Sequence, residues 1–294
     1  MFALNFIILS LYNIYLIVYA MTQIDNFLKE LNDATKGKSR EIYSKCKYSV
    51  SKIVEAMHAP FDKEGVANKT FSKYFNDPNS KYYHMSVQEI IDSWNAKAEL
   101  GRNNGKILDT YIGMILENHE SKDILEKYKT SLSEIVATNK CNIFDKFYKE
   151  NVENKLEYVT REQILHDETN GVVGRFDALF LKNDAKLPGV QNLLLIDWKN
   201  TEKIETSNLY NKLKGPLYKY DDCELNRYTI QLYIYVYILR KVYHLTDIRI
   251  IPLLVQIGSV EYAIYAPQIP YSDELVSDII SFAINEINIQ TNKN

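Results

Sequence analysis

Two stretches, GRFDALFLKN at 174–183 and NLLLIDWKN at 192–200, decide how this chain folds. Each is a short apolar run carrying charged residues at fixed places. Asp177 closes the first run, and Asp197 and Lys199 end the second. Pro188-Gly189 and polar residues lie between them, which predicts two strands joined by a turn. Residues two apart in a strand share a face. Asp197 and Lys199 therefore point the same way, with Trp198 on the other side, and a neighbouring strand can bring Asp177 beside them. Asp197 follows Leu193-Leu194-Leu195-Ile196, so it is expected to be half-buried. Charged residues rarely sit there without a partner or a metal.

Working outward, residues 22–58 read as helical, with Ile24, Phe27, Leu28 and Leu31 at helical spacing until Pro60. Residues 61–85 are mixed and polar. Residues 87–118 read as a helix interrupted around Gly101 to Gly105, and 121–151 as a further helix. Strands are expected at 155–168, 171–182 and 192–199, a helix at 223–243, strands at 247–257 and 260–266, and a helix at 272–288. The order implies an α/β (α+β) fold, a mixed central sheet flanked by helices with an N-terminal helical region. The divisions are an apolar extension at 1–21, a helical region at 22–151 and a sheet-bearing core at 152–290.

Two carboxylates beside one lysine on a rigid sheet suit phosphodiester hydrolysis. That reaction needs an activated water and a shield for charge growing on phosphate oxygens. Mg²⁺ supplies both, and it prefers carboxylate oxygens plus several waters. A nearby lysine can orient or deprotonate the water, or neutralise the phosphate. D-x-K alone is short, and it also describes a common surface ion pair.

The motifs together resemble the PD-(D/E)XK nucleases of the RecB-like exonuclease branch. G-x-x-D is met by Gly174 and Asp177, D-x-K by Asp197 and Lys199, and Q-x-x-x-Y on a helix by Gln231 and Tyr235. Upstream, Glu162 in REQILHDETNGVVGRFD takes the acidic position of a preceding strand. The likeness spans roughly residues 45 to 265 and extends to viral, phage and mitochondrial exonucleases. It implies a restriction-endonuclease-like core and a Mg²⁺- or Mn²⁺-dependent deoxyribonuclease acting on DNA ends in replication, repair or recombination. Asp177 and Asp197, with the Trp198 carbonyl, would hold the metal, Lys199 would act on the water, and Gln231 and Tyr235 would orient the strand or the lysine. The implied partners are single-stranded or free-ended DNA and a helicase or replication protein. A structure-specific endonuclease and a catalytically inactive nucleic-acid-binding subunit are the rival readings. One departure stands out. In IDSWNAKAELGRNNGKILDTYIG, Trp94 and Gly105 fit the branch's W…G-x-x-x-H pattern, but Asp109 replaces the histidine. Asp109 is either a third carboxylate ligand or a solvated helix residue.

Composition sets outer limits. Hydrophobic residues at 46% and charged residues at 25% are ordinary for a globular chain and exclude disordered and fibrous classes. The net charge of −3 counts mildly against a broad nucleic-acid surface, although Lys199, Lys203, Lys212, Lys214, Lys219 and Arg227 can form a local basic patch. Tyr82, Tyr83 and Trp94 are candidates either for stacking on bases or for core packing. Cys46, Cys141 and Cys223 are too scattered for zinc, a disulfide framework or an iron–sulfur cluster, which points to a reducing, intracellular compartment. The first 24 residues carry no charge, and Phe2 to Ala20 is largely apolar. Met21 opens MTQIDNFLKEL, an ordinary amphipathic start. Residues 1–20 are therefore a mis-assigned start, a dispensable extension, or a signal or membrane anchor.

Overall fold

The computed structural model describes residues 24–31, 39–117, 132–183 and 191–292. The apolar segment 1–20 and the turn at Pro188-Gly189 lie outside them. Helices α1 (24–31), α2 (Ser39–Lys45), α3 (Val50–Ala56), α4 (Lys63–Tyr74), α5 (Val87–Leu116) and α6 (Leu132–Asn151) precede most of the strands. A two-residue strand β1 (Tyr48–Ser49) sits before α3. Then come β2 (Glu157–Arg161), β3 (Ile164–Asp167), β4 (Val172–Arg175), β5 (Ala178–Asn183) and β6 (Gln191–Asn200). Helix α7 (Glu224–Lys241), β7 (Arg249–Ile257), β8 (Tyr262–Tyr265) and α8 (Asp273–Thr291) finish the chain.

The strands form a five-stranded sheet in the order β2-β5-β6-β7-β8 and a three-stranded sheet in the order β1-β4-β3. In the larger sheet β6 and β7 are parallel, and the other pairs are antiparallel. Parallel neighbours need a crossover, and α7 supplies it. The fold is thus mixed α/β with sheets flanked by helices, as the element order implies. Among the described residues no helix is long and apolar enough to cross a membrane.

Alternation along β5 and β6 divides the core. Leu179, Leu181, Leu193 and Leu195 face a cluster shared with α1, α3, α7 and α8. Phe180, Leu194, Ile196 and Trp198 face α5 and α6. Both faces of β6 are covered, which is why its sequence is a continuous apolar run. Ile24, Phe27 and Ile53 join the first cluster, so the boundary drawn at 151/152 marks a change of element type without interrupting the core.

Two local expectations need correction. Helix α5 runs unbroken through Gly101 and Gly105. Each glycine costs about 1 kcal/mol relative to alanine. A capping box from Ser86 and Glu89 and the buried Leu108, Tyr111 and Ile112 offset that cost. The stretches 155–168 and 171–182 are each two strands, because their hairpin bends from one sheet into the other. The bend falls where Glu162 N–H donates to the Asp177 carbonyl (3.0 Å) and Phe176 N–H to the Gln163 carbonyl (3.3 Å). Glu162 has φ 53°, a left-handed conformation that non-glycine residues rarely adopt.

Helix α4 packs on α5, and between His58 and Asn103 only Ala67 and Ile90 are buried. This stretch is a thin helical arm rooted in the cleft-forming half of α5.

Candidate active site

The bend places Asp177 at the mouth of β5, on the same face as Leu179 and Leu181 and therefore toward α7. On β6, Asp197 and Lys199 share that face, and Trp198 turns away to pack edge-on against Phe144 and Phe147, each at 5.5 Å. Asp177, Asp197 and Lys199 thus converge on one side of the sheet, as their spacing predicts. Asp177 Oδ2 accepts a hydrogen bond from Trp198 N–H at 2.7 Å, which locks the two strand ends together.

Asp197 is only 2% exposed. Lys199 Nζ lies 2.6 Å from its Oδ2, a charge contact off the direction of a hydrogen bond. Gln231 Nε2 donates to Asp197 Oδ1 at 3.1 Å, and Gln231 Oε1 faces Lys199 Nζ at 3.5 Å. Tyr235, one turn further along α7, donates its hydroxyl to the Arg175 carbonyl at 2.8 Å and sits 3.4 Å from Gln231 Nε2. The Q-x-x-x-Y pair therefore buttresses Asp197 and the hairpin bend at once. Gly174 makes this possible: a Cβ there would come within 2.6 Å of both Tyr235 Cε1 and Val50 Cγ2.

Burial, and then the charge of Asp197, push the Asp177 carboxyl well above the usual carboxylate range; Lys199 and the Trp198 amide counter this only in part. Burial alone would lower Lys199, but Asp197 and Asp177 outweigh it and hold the amine above its ordinary value, as an ammonium. Burial also raises the Tyr235 hydroxyl, so it stays protonated and donates.

A cleft of about 220 Å³ opens at this end of the sheet, lined by Gly105, Leu108, Asp109 and Ile112 of α5 together with Glu162, Asp177, Trp198, Lys199 and Asn200. Asp197 lies behind Lys199. Glu162 and Asp109 stand on the rim, and each is matched by an arginine. Arg175 Nη1 is 3.1 Å from Glu162, and Arg161 Nη2 is 2.9 Å from Asp109 Oδ1. The aspartate in the histidine position is therefore an ion-pair member at the cleft edge.

Among the described residues no three His, Cys, Asp or Glu side chains form a ready metal cage. Mg²⁺ does not need one, since it keeps several waters and takes one or two carboxylates. Two aspartates close enough to raise the proton affinity of one of them, with that one on the cleft, form a donor set that fits a hard divalent cation.

Several neighbours escaped the sequence reading. The Tyr228 ring lies under the Lys199 ammonium, 4.5 Å from Nζ to its centroid. Its only sequence signal is helical spacing with Gln231 and Tyr235. Lys140 on α6 is buried, donates to Asn200 Oδ1 at 2.6 Å and pairs with Glu202 at 2.9 Å. Asn200 in turn donates to the Gly101 carbonyl at 3.1 Å and so ties β6 to α5. Burial raises Glu202, but Ser259 and Lys140 pull it down to about 2. No local pattern announces this link across three elements.

The basic stretch expected around 199–227 is largely neutralised in place. Lys203 faces Glu205, Lys212 faces Asp221 and Arg227 faces Asp222. On the arm, Tyr82 and Trp94 contact one another, with Trp94 Nε1 donating to the Tyr82 hydroxyl at 2.9 Å. Tyr83 is 43% exposed and stacks on His84. No family model and no curated protein matches this chain.

Proposed function

We propose that this protein is a divalent-cation-dependent nuclease that hydrolyses DNA phosphodiester bonds, working as an exonuclease on single-stranded or free ends. The observation that carries this reading is the convergence of Asp177 and Asp197 on Lys199 below an open cleft, with the Asp177 carboxyl held at raised proton affinity. A buried anionic pair of this kind favours a bound cation.

Asp177 and Asp197, with the Trp198 carbonyl as a further candidate ligand, would hold Mg²⁺ or Mn²⁺, which supplies Lewis-acid polarisation of the phosphate and a nucleophilic water at neutral pH. The residues of the chain do the rest. Lys199, as an ammonium at the cleft wall, neutralises charge on the scissile phosphate. Gln231 and Tyr235 keep Asp197 and the hairpin bend in register, so the carboxylates need little reorganisation during reaction. Arg161 and Arg175 keep the rim carboxylates from repelling a polyanion. The arm supplies a route for a single strand. Lys73 lies over Tyr74, Lys81 over Tyr82, and Tyr83 presents a free ring face.

One observation favours a second reading. Lys199 closes on Asp197 at 2.6 Å, and Asp109 is bound to Arg161, an arrangement that would also suit an inactive nucleic-acid-binding subunit. End-labelled linear DNA and closed circular single-stranded DNA, incubated with Mg²⁺, Mn²⁺ or EDTA, separate the possibilities. Metal-dependent loss of linear substrate alone supports the exonuclease. Cutting of circles replaces it with an endonuclease. Binding without cleavage under any condition leaves the inactive subunit.

A further inference from the structure

We infer that Tyr228 is a positioning residue for Lys199, the one contact that keeps the ammonium at the cleft independently of Asp197. The inference rests on reading this site as catalytic. Lys199 Nζ has three neighbours on its inner side: Asp197 Oδ2 at 2.6 Å, Gln231 Oε1 at 3.5 Å and the Tyr228 ring at 4.5 Å to the centroid. The first is an oxygen that any cation shared by the two aspartates would claim. The second belongs to an amide whose other end is already committed to Asp197 Oδ1. Only the ring holds the ammonium without drawing on that carboxylate.

Tyr228 is well placed for the task. It precedes Gln231 by three residues and Tyr235 by seven, so all three lie on one face of α7. The ring packs against the main core, which fixes its plane under the lysine. An ammonium over an aromatic face is held more strongly where water is excluded, and Lys199 is largely enclosed here. The contact is to the ring face, so the hydroxyl is dispensable and phenylalanine should serve.

The test compares Tyr228→Phe, Tyr228→Leu and Tyr228→Met, each with Lys199 intact and with Lys199→Ala. Leu and Met should lower kcat about tenfold with KM for a single-stranded oligonucleotide unchanged, and Phe should stay within about twofold. In the Lys199→Ala background the same changes should cost nothing further. A second readout needs neither metal nor substrate. In protein labelled with ¹³C at the lysine ε-carbon, the Lys199 signal, identified by its loss in Lys199→Arg, should be shifted upfield by the ring. The shift should vanish in Leu and Met and persist in Phe. If the wild type cleaves nothing while this pattern holds, the nuclease reading falls and the lysine contact stands. An unshifted Lys199 signal overturns the inference. So does wild-type turnover in the Leu and Met variants, or an equal loss in the Lys199→Ala background, which would mark a merely structural tyrosine.

Discussion

In the body around the five-stranded sheet, β5 and β6 bury apolar side chains on both faces, whereas the arm between His58 and Asn103 buries only Ala67 and Ile90. The two regions are joined by one helix, since α5 begins in the arm and ends as a cleft wall. A 30-residue helix is about 45 Å long, so the joint extends well beyond the site. The difference separates two jobs. Groups that must be held within tenths of an ångström sit on packed strands, and rings that meet a flexible strand sit where few contacts need to break.

The largest effect should come from the body. Asp177→Ala and Asp197→Ala should reduce cleavage to background while folding persists. Asp177→Asn should raise the thermal midpoint of the metal-free protein, because it removes one of two crowded charges. Wild-type-like cleavage by either alanine variant would dissolve the division between a chemical body and a handling arm.

Packing provides the next contrast. Phe147 is 2% exposed and touches Phe144, Trp198 and Tyr262. Phe147→Ala should destabilise by about 3–5 kcal/mol. Phe71 pairs with Phe75 on the half-exposed arm, and its alanine variant should cost only about 1 kcal/mol. Denaturant titration measures both. Equal losses would mean that the arm is part of the cooperative core.

Charge on the arm should matter for binding alone. Replacing Lys73, Lys81 and Lys97 together with alanine should weaken affinity for single-stranded DNA and flatten its log–log salt dependence by about 2. Turnover at saturating substrate should not change. A fall in kcat with unchanged salt dependence would reverse the assignment of roles.

The smallest effect is a linkage. Asp177 has a raised pKa in the fold, so its contribution to metal-free stability is present at low pH and is lost as pH rises through that raised value. A divalent cation requires the ionised form. The gain in thermal midpoint from Mn²⁺ over EDTA should therefore grow between about pH 5.5 and pH 8. A gain that is constant or shrinks with pH would place the metal away from Asp177.

Legibility followed the range of the interactions. Period-two alternation in LLLIDWKN assigns Asp197 and Lys199 to one face and Trp198 to the other, because side-chain direction in a strand is a local property. The same rule places Gln231 and Tyr235 together on α7. Asp109 was ambiguous as a letter, and its role at the rim depends on Arg161, 52 residues away in β2. The glycines of α5 looked like an interruption, yet the helix continues because its far half is buried against β6 and α6.

By itself, then, the sequence determined element types, strand faces and the identity of the converging carboxylates, since all of these follow from periods of two and 3.6 residues within a few positions. Only tertiary structure decided which ions meet. The pairing of Lys140 with Asn200 and Glu202, the arginines on Glu162 and Asp109, and the ring beneath Lys199 join elements far apart in the chain. The bend at Glu162 and Asp177 belongs to the same class. A left-handed residue and two interstrand hydrogen bonds carry one hairpin between two sheets, and that geometry depends on what each half packs against.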